Sequence, residues 1–350
     1  MIRVAILGAG IGAEHLDAYR RLTDHFTVAM IVDQDTGRAE ALRASDDFTV
    51  TADIATALDD PGIDLIDICL PPHLHVPVTL QALAAGKDVI CEKPLATSMA
   101  DVDRIKEAAQ AAKRKVYPVF QYRWGPSLAQ LRALIAAGLA GQPQTAAVET
   151  HWSRGADYYA VPWRGTWAGE QGGAVLGHAI HNHDLLTHLM GPVAALSAFT
   201  TTRVNLIETE DCAAISFEMA NGALATSSIT LGAASDETRL RLVFEHLTAT
   251  SGTAPYAPGA DPWTFTARDP SQQAAIDAVL AQATAEPVGF EGFLTAIAQD
   301  QVSRPNSAVT LEEGAASVAL VTAIYHAART GTRVTLPITP DHPLYKGWQP

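Results

Sequence analysis

The chain has 350 residues, 48% apolar and 18% charged, with a net charge of −14. This is long enough for two folded domains, too hydrophobic for a disordered chain and too acidic to favour a nucleic-acid or anionic-membrane partner. No apolar run reaches the roughly 18 residues of a membrane span, and the N-terminus opens on a strand rather than a basic, cleavable leader. Cys69, Cys91 and Cys212 show no C-x-x-C spacing, which reads as reduced thiols of a cytoplasmic protein.

Residues 2–7 form an apolar strand that runs into Gly8-Ala9-Gly10-Ile11-Gly12-Ala13. A helical pattern follows through residue 21, and a second strand at 28–32 ends on Asp33. Strand, glycine turn, helix, strand and then an acid is the dinucleotide-binding pattern. Gly8 permits the tight turn, Gly10 lets the backbone approach a pyrophosphate, and the helix start offers amide donors. Gly8, Gly10, Ile11 and Gly12 are therefore candidate cofactor contacts. Asp33, followed by Gln34, suits the adenosine ribose, and its charge favours NAD over NADP. The third glycine, Gly12, comes one residue early, with Ala13 in the usual place.

The alternation continues with a helix at 54–58 and a buried strand at 65–70 that ends in Pro71-Pro72-His73-Leu74-His75. A helix at 78–85 stops at Gly86, a strand spans 89–91, a helix covers 99–113 and a strand covers 116–121. This predicts a parallel, doubly wound sheet with right-handed crossovers. The strand at 89–91 exits through Glu92-Lys93-Pro94. Pro94 has no N–H for a ladder and pushes Lys93 out of the helical region. The charged pair is thus left at a strand's carboxyl end, where ligands of such sheets bind; a surface ion pair is the other reading.

After a helix at 126–137, Gly138 and Gly141-Gln142-Pro143 lead into a second domain. Strand-like stretches at 145–152, 195–202, 212–219, 223–231 and 239–246 predict an open, mostly antiparallel sheet, with Asn221-Gly222 as a type I′ hairpin turn. Chemistry is densest in residues 172–188. Read as a helix, His178, His181, Asp184 and His188 share one stripe, while His183 points elsewhere. The stripe suits proton transfer, a self-satisfied polar face or a divalent metal, although no third-ligand motif accompanies it. Upstream lie Trp152, Arg154, Tyr158, Tyr159, Trp163, Arg164 and Trp167, which either line a polyol site or pin a long loop. Arg123 faces substrate or pairs locally. An exposed loop is expected at 252–262, helices at 271–285 and 290–301, and a short strand at 334–338. Between them a helix runs to residue 330, opened by a Thr310/Glu313 capping box and stopped by Gly331.

The first glycine turn, Asp33, Pro71-x-x-x-His75 and above all the run from Ala85 to Ala96 with Glu92-Lys93-Pro94 resemble the Gfo/Idh/MocA oxidoreductase family. The resemblance implies an α/β fold: an N-terminal Rossmann doubly wound parallel sheet over 1–122, and a C-terminal α+β domain with an open, mostly antiparallel sheet over 123–350. The helix at 311–330 would pack back on the first domain. It also implies a cis Lys93–Pro94 bond, NAD as cofactor, and Pro71, His75, Glu92 and Lys93 as further cofactor contacts. The substrate is expected to be a sugar, cyclitol or related polyol in the cleft between the domains. It would meet Lys93, Arg123, Tyr158, Trp163, Arg164, His178, His181 and Asp184. Lys93 and His181 are the expected catalytic pair, no metal is expected, and the second-domain sheet would carry a homodimer or homotetramer. The family's Asp-x-Gly-x-His-x-x-Asp motif puts its first aspartate on Gly177, which has no side chain. The expected activity is an NAD-dependent dehydrogenase. The alternatives are redox-neutral use of NAD for elimination or glycoside cleavage, a metal-dependent enzyme on the histidine stripe, and a non-catalytic NAD-binding protein.

Overall fold

A computed structural model describes residues 1–302 and 308–350. The chain divides into two compact units, Met1–Val119 with Phe293–Val318, and Phe120–Gly292 with Ala319–Pro350. The first unit is thus discontinuous, and the helix at 311–330 is shared between them rather than belonging to one.

The first unit runs β1 (Ile2–Leu7), α1 (Gly12–Arg21), β2 (Phe26–Val32), α2 (Thr36–Ala41), β3 (Thr49–Thr51), α3 (Ile54–Asp59), β4 (Leu65–Ile68), α4 (Pro72–Ala84), β5 (Asp88–Cys91), α5 (Met99–Ala112) and β6 (Val116–Pro118). Its strands form one parallel sheet in the order β3-β2-β1-β4-β5-β6. That is the doubly wound dinucleotide order, which reverses direction between β1 and β4. The inner strands carry apolar side chains on both faces, as a parallel sheet covered by helices requires; Val4, Ile6, Ile66, Val89 and Ile90 are fully buried. Two boundaries differ most from expectation. α4 begins at Pro72 because proline fits the first helical turn, where no N–H is needed. β6 stops at Pro118, and Gln121–Arg123 instead forms a 3₁₀ turn.

The second unit runs α6 (Pro126–Ala136), β7 (Pro143–Ser153), α7 (Ala156–Tyr159), a π-helical turn (Val175–Ala179), α8 (Ile180–Met190), β8 (Val193–Thr201), β9 (Cys212–Met219), β10 (Leu224–Thr230), β11 (Gly232–Phe244), β12 (Leu247–Thr250), β13 (Thr264–Ala267) and α9 (Gln273–Gln282). In chain order there follow α10 (Gly289–Val302), which from Phe293 on belongs to the first unit, α11 (Leu311–Thr330), shared between the two, and β14 (Val334–Thr335) of the second. The eight-stranded sheet has the order β13-β12-β11-β7-β10-β9-β8-β14 and is antiparallel except for β10 against β7. Burial alternates along β9 and β10, so the sheet has one covered and one open face. The β9–β10 connection is not type I′. Asn221 does not have positive φ, and Gly222 alone does (+88°), giving a type I turn closed by a glycine bulge. The 252–262 segment is not simply exposed: a Cβ on Gly125 would lie 2.6 Å from the Gly259 carbonyl oxygen, so this loop packs tightly against the start of α6. The capping box of α11 is present, with Thr310 N donating to Glu313 (2.8 Å) and Glu313 N to the Thr310 hydroxyl (3.2 Å).

Candidate active site

In the first unit the glycine turn has the shape a pyrophosphate needs. Gly8 has φ +105°, and a Cβ there would lie 2.4 Å from the Cys69 carbonyl oxygen, so only glycine fits. A Cβ on Gly10 would meet nothing within 4 Å, which leaves that backbone open to a ligand. No side chain caps the start of α1, and Ile11 beside it is exposed; the end of the helix therefore keeps its attraction for an anion. Asp33 Oδ2 accepts from Ala9 N at 2.6 Å, and both carboxylate oxygens accept from Arg38 at 2.7 and 2.9 Å. Burial pushes the Asp33 carboxyl up, but the hydrogen bonds from Arg38 and Ala9 outweigh it and hold it below the usual range. Gln34 donates to Ala52 O and stays exposed. These residues fit a dinucleotide.

At the end of β5 the Lys93–Pro94 bond is cis, as the resemblance implies. Glu92 Oε2 accepts from the Lys93 backbone N–H at 3.0 Å. Pro71 caps α4, and His75 on that helix lies 2.7 Å from both Pro94 O and Leu70 O. Burial pushes the His75 pKa down, so its single N–H serves one carbonyl at a time. His75 thus sits between the Glu92-Lys93-Pro94 turn and the end of β4, donating its one N–H to either carbonyl.

In the second unit the expected helix is interrupted. The π-helical turn, which carries His178, displaces that ring from the simple α-helical stripe. Glu210 holds the turn open: its side chain accepts from Val175 N (3.0 Å), Gly173 N (3.2 Å) and the Tyr325 hydroxyl (3.0 Å). His178 is buried, edge-on to Trp152 (5.3 Å) and near Tyr158 (5.7 Å). His181, also buried, stacks on Tyr122 at 4.5 Å and meets the edge of Phe120. His183 turns to the sheet, 3.0 Å from the Ser227 hydroxyl, and burial pushes its pKa down to about 4, so it is neutral. His188 is exposed and leaves the group.

Arg123 is an ion-pair partner. It donates to both oxygens of Asp184, at 2.8 and 2.6 Å, and both side chains are buried. The aromatic loop is partly pinned by cations: Arg164 lies 3.9 Å over Tyr158 and 4.8 Å over Trp163, and Arg154 bridges Trp152, Tyr158 and Asp236. Tyr158 and Trp163 nevertheless keep some exposure. Sequence reasoning missed Glu170. Its Oε2 accepts from Gly165 N at 2.6 Å, and its Oε1 lies 3.7 Å from where a Cβ on Gly177 would stand. It also missed Asp67, a lone charge in a strand otherwise apolar on both faces, which was the available signal for a buried partner.

The glycine turn, its acid and the parallel sheet match the family model described as "Oxidoreductase family, NAD-binding Rossmann fold" over residues 2–120. The GFO/IDH/MocA C-terminal domain model matches residues 128–250. The chain belongs to the Gfo/Idh/MocA oxidoreductase family. This family member carries an NAD-binding Rossmann domain, and NAD is its cofactor. It is 36% identical over 150 residues to inositol 2-dehydrogenase 1 of Saccharopolyspora erythraea, a match spanning 41% of this chain and 43% of that one. The curated relatives of this kind are therefore matched over less than half of their length. The WlbA dehydrogenase from Bordetella pertussis, crystallised with NADH and UDP-GlcNAcA, superposes with TM-score 0.83 at 27% identity, covering 97% of this chain and 99% of that one. A levoglucosan dehydrogenase crystallised with NADH superposes with TM-score 0.79 over 97% of this chain and 100% of its own, at 19% identity, a likeness of fold. Among the described residues no helix is long and apolar enough to cross a membrane.

Proposed function

We propose that this oxidoreductase is a sugar or polyol dehydrogenase that prefers NAD to NADP. The carrying observation is the first unit's combination of a glycine turn open at Gly10, an ionised Asp33 and a Glu92-Lys93-Pro94 turn at a strand's carboxyl end. Nicotinamide, when bound, would supply the hydride chemistry; the chain's own residues bind, orient and move protons. Gly8, Gly10, Ile11 and Gly12 would hold the pyrophosphate, while Asp33 would accept from the ribose hydroxyls and repel a 2′-phosphate. Pro71, His75 and Glu92 shape the turn that carries Lys93. His181 takes the hydroxyl proton of the substrate, and Lys93 donates a hydrogen bond to the same oxygen as alkoxide charge develops. His178, Tyr158, Trp163 and Arg164 present rings and donors to the polyol, and the Arg123–Asp184 pair anchors the helix that carries His181. Glu170, whose carboxylate reaches the Gly177 position, supplies the negative charge that the family motif places there. The open sheet face, with Phe199 and Leu224 exposed on it, carries the homo-oligomer; free thiols suit a reducing, cytoplasmic setting.

A panel of polyols and sugars with NAD, read at the absorbance of the reduced cofactor, tests the reaction. Turnover is expected in the wild type and a loss of roughly 10²–10⁴-fold in His181→Ala and Lys93→Met, with NAD binding retained. Near-normal turnover by either variant removes that residue from the mechanism. Glycoside cleavage without accumulation of NADH would favour the redox-neutral chemistry instead. Asp33→Ser should lower the NAD-over-NADP ratio in kcat/KM by about tenfold, the worth of one charged hydrogen bond.

A further inference from the structure

Beneath the turn that carries Lys93 lies a buried charge cluster drawn from three elements of the first unit. His15 Nδ1 on α1 is 2.9 Å from Asp67 Oδ2 on β4, and His15 Nε2 is 3.2 Å from Glu92 Oε1 at the end of β5. His15 and Asp67 have no exposed surface and Glu92 has 6%. The Tyr19 hydroxyl also donates to Asp67, at 2.9 Å. A neutral imidazole has one N–H and could satisfy only one of two ionised carboxylates; the other would face a nitrogen lone pair in a buried site. With both carboxylates ionised, only the imidazolium satisfies both contacts. The remaining Glu92 oxygen accepts from the Lys93 backbone N–H.

β1 and β4 flank the point where the strand order reverses, and β5 follows β4. The cluster therefore joins the helix after the glycine turn to the strand end that presents Lys93, directly under the place where such sheets bind a cofactor. We propose that His15 is a positioning residue: held as a cation between Asp67 and Glu92, it clamps the Glu92 carboxylate, which in turn fixes the Lys93 backbone. This rests on the reading of Lys93 as the group that meets the reacting oxygen.

The surroundings support the cation. Burial opposes charge on His15, but the adjoining Asp67 carboxylate outweighs it and its pKa is raised well above the ordinary value. The other titratable groups facing the cluster are Tyr19, Cys69, Cys91, His75 and Lys93. The liganding atoms of His15, Asp67 and Cys69 lie within 4.8 Å of one another. A metal there would need a thiolate, and burial pushes the Cys69 thiol up, away from that form.

Nitrogen-15 spectra of the His15 ring in the NAD-bound protein test the clamp directly. Both ring nitrogens should stay protonated from pH 6 to pH 8; one unprotonated nitrogen at pH 8 overturns the proposal. In His15→Gln and in Glu92→Gln the Lys93 amide proton resonance should move upfield, and an unmoved resonance is a second refutation. Neither reading uses turnover, so both judge the clamp even if no polyol is oxidised and the dehydrogenase reading falls. With an active substrate, His15→Gln should lower kcat by roughly 10²-fold, the cost of a misplaced group, and change the affinity for NAD less than about threefold. The double variant should be no worse than the poorer single variant, because both break one contact. Losses that multiply, or an equal loss of NAD affinity, would show independent structural roles and end the proposal.

Discussion

Each unit buries a charge system, and the two are built differently. In the second unit Arg123 meets Asp184 through two parallel hydrogen bonds, joining the 3₁₀ turn after β6 to α8. A guanidinium is charged at every working pH, so this pair has one state and serves as a fixed anchor. In the first unit an imidazole bridges two carboxylates, and its charge is a consequence of both neighbours. The arginine pair holds a helix in place; the histidine bridge couples three elements and depends on each of them. The contrast shows how one protein separates permanent positioning of a helix from conditional positioning of a reactive turn.

The largest effect should come from breaking the fixed pair. Asp184→Asn leaves a buried guanidinium without its counter-charge and should cost about 3–5 kcal/mol, read as a drop in the urea midpoint. A loss under about 1 kcal/mol would mean that water reaches the pair. Next comes pH. Burial pushes Glu210 up to about 7, against the hydrogen bonds from Val175, Tyr325 and Gly173 that favour its charge. Its folded value exceeds the unfolded value near 4.3. The stabilisation from the protonated form is therefore full below about pH 4 and is lost as pH rises towards 7, about 3 kcal/mol over that window. Melting temperatures from pH 4 to pH 8 should fall in the wild type and fall less in Glu210→Gln; equal slopes would acquit Glu210. The smallest effect belongs to an exposed pair, Lys106 with Glu312 at 2.6 Å. Lys106→Ala should cost less than about 1 kcal/mol, and a larger loss would blur the distinction between buried and exposed pairs.

Much of the first unit was legible because its signals are local. The glycine turn, the acid after β2 and the proline after Lys93 each act within a few residues, so spacing alone placed them. The type I′ reading of Asn221-Gly222 failed because its other requirement, positive φ at the asparagine, is not met. There the Asn221 side chain donates to Met190 O and accepts from Ala223 N instead. The histidine run was legible as chemistry but not as geometry. A π-helical turn, held by a glutamate from a distant strand connection, decides where His178 points, and no local period records that.

The sequence by itself determined the class of sheet, the dinucleotide turn and the residue types available for proton transfer, because these follow from backbone sterics and side-chain periodicity. Only the tertiary structure decided the partners: His15 finds Asp67 and Glu92 across 52 and 77 residues, and Arg123 finds Asp184 across 61. A buried charge must be satisfied by whatever the strand order brings beside it, and that neighbour is fixed by topology rather than by spacing along the chain.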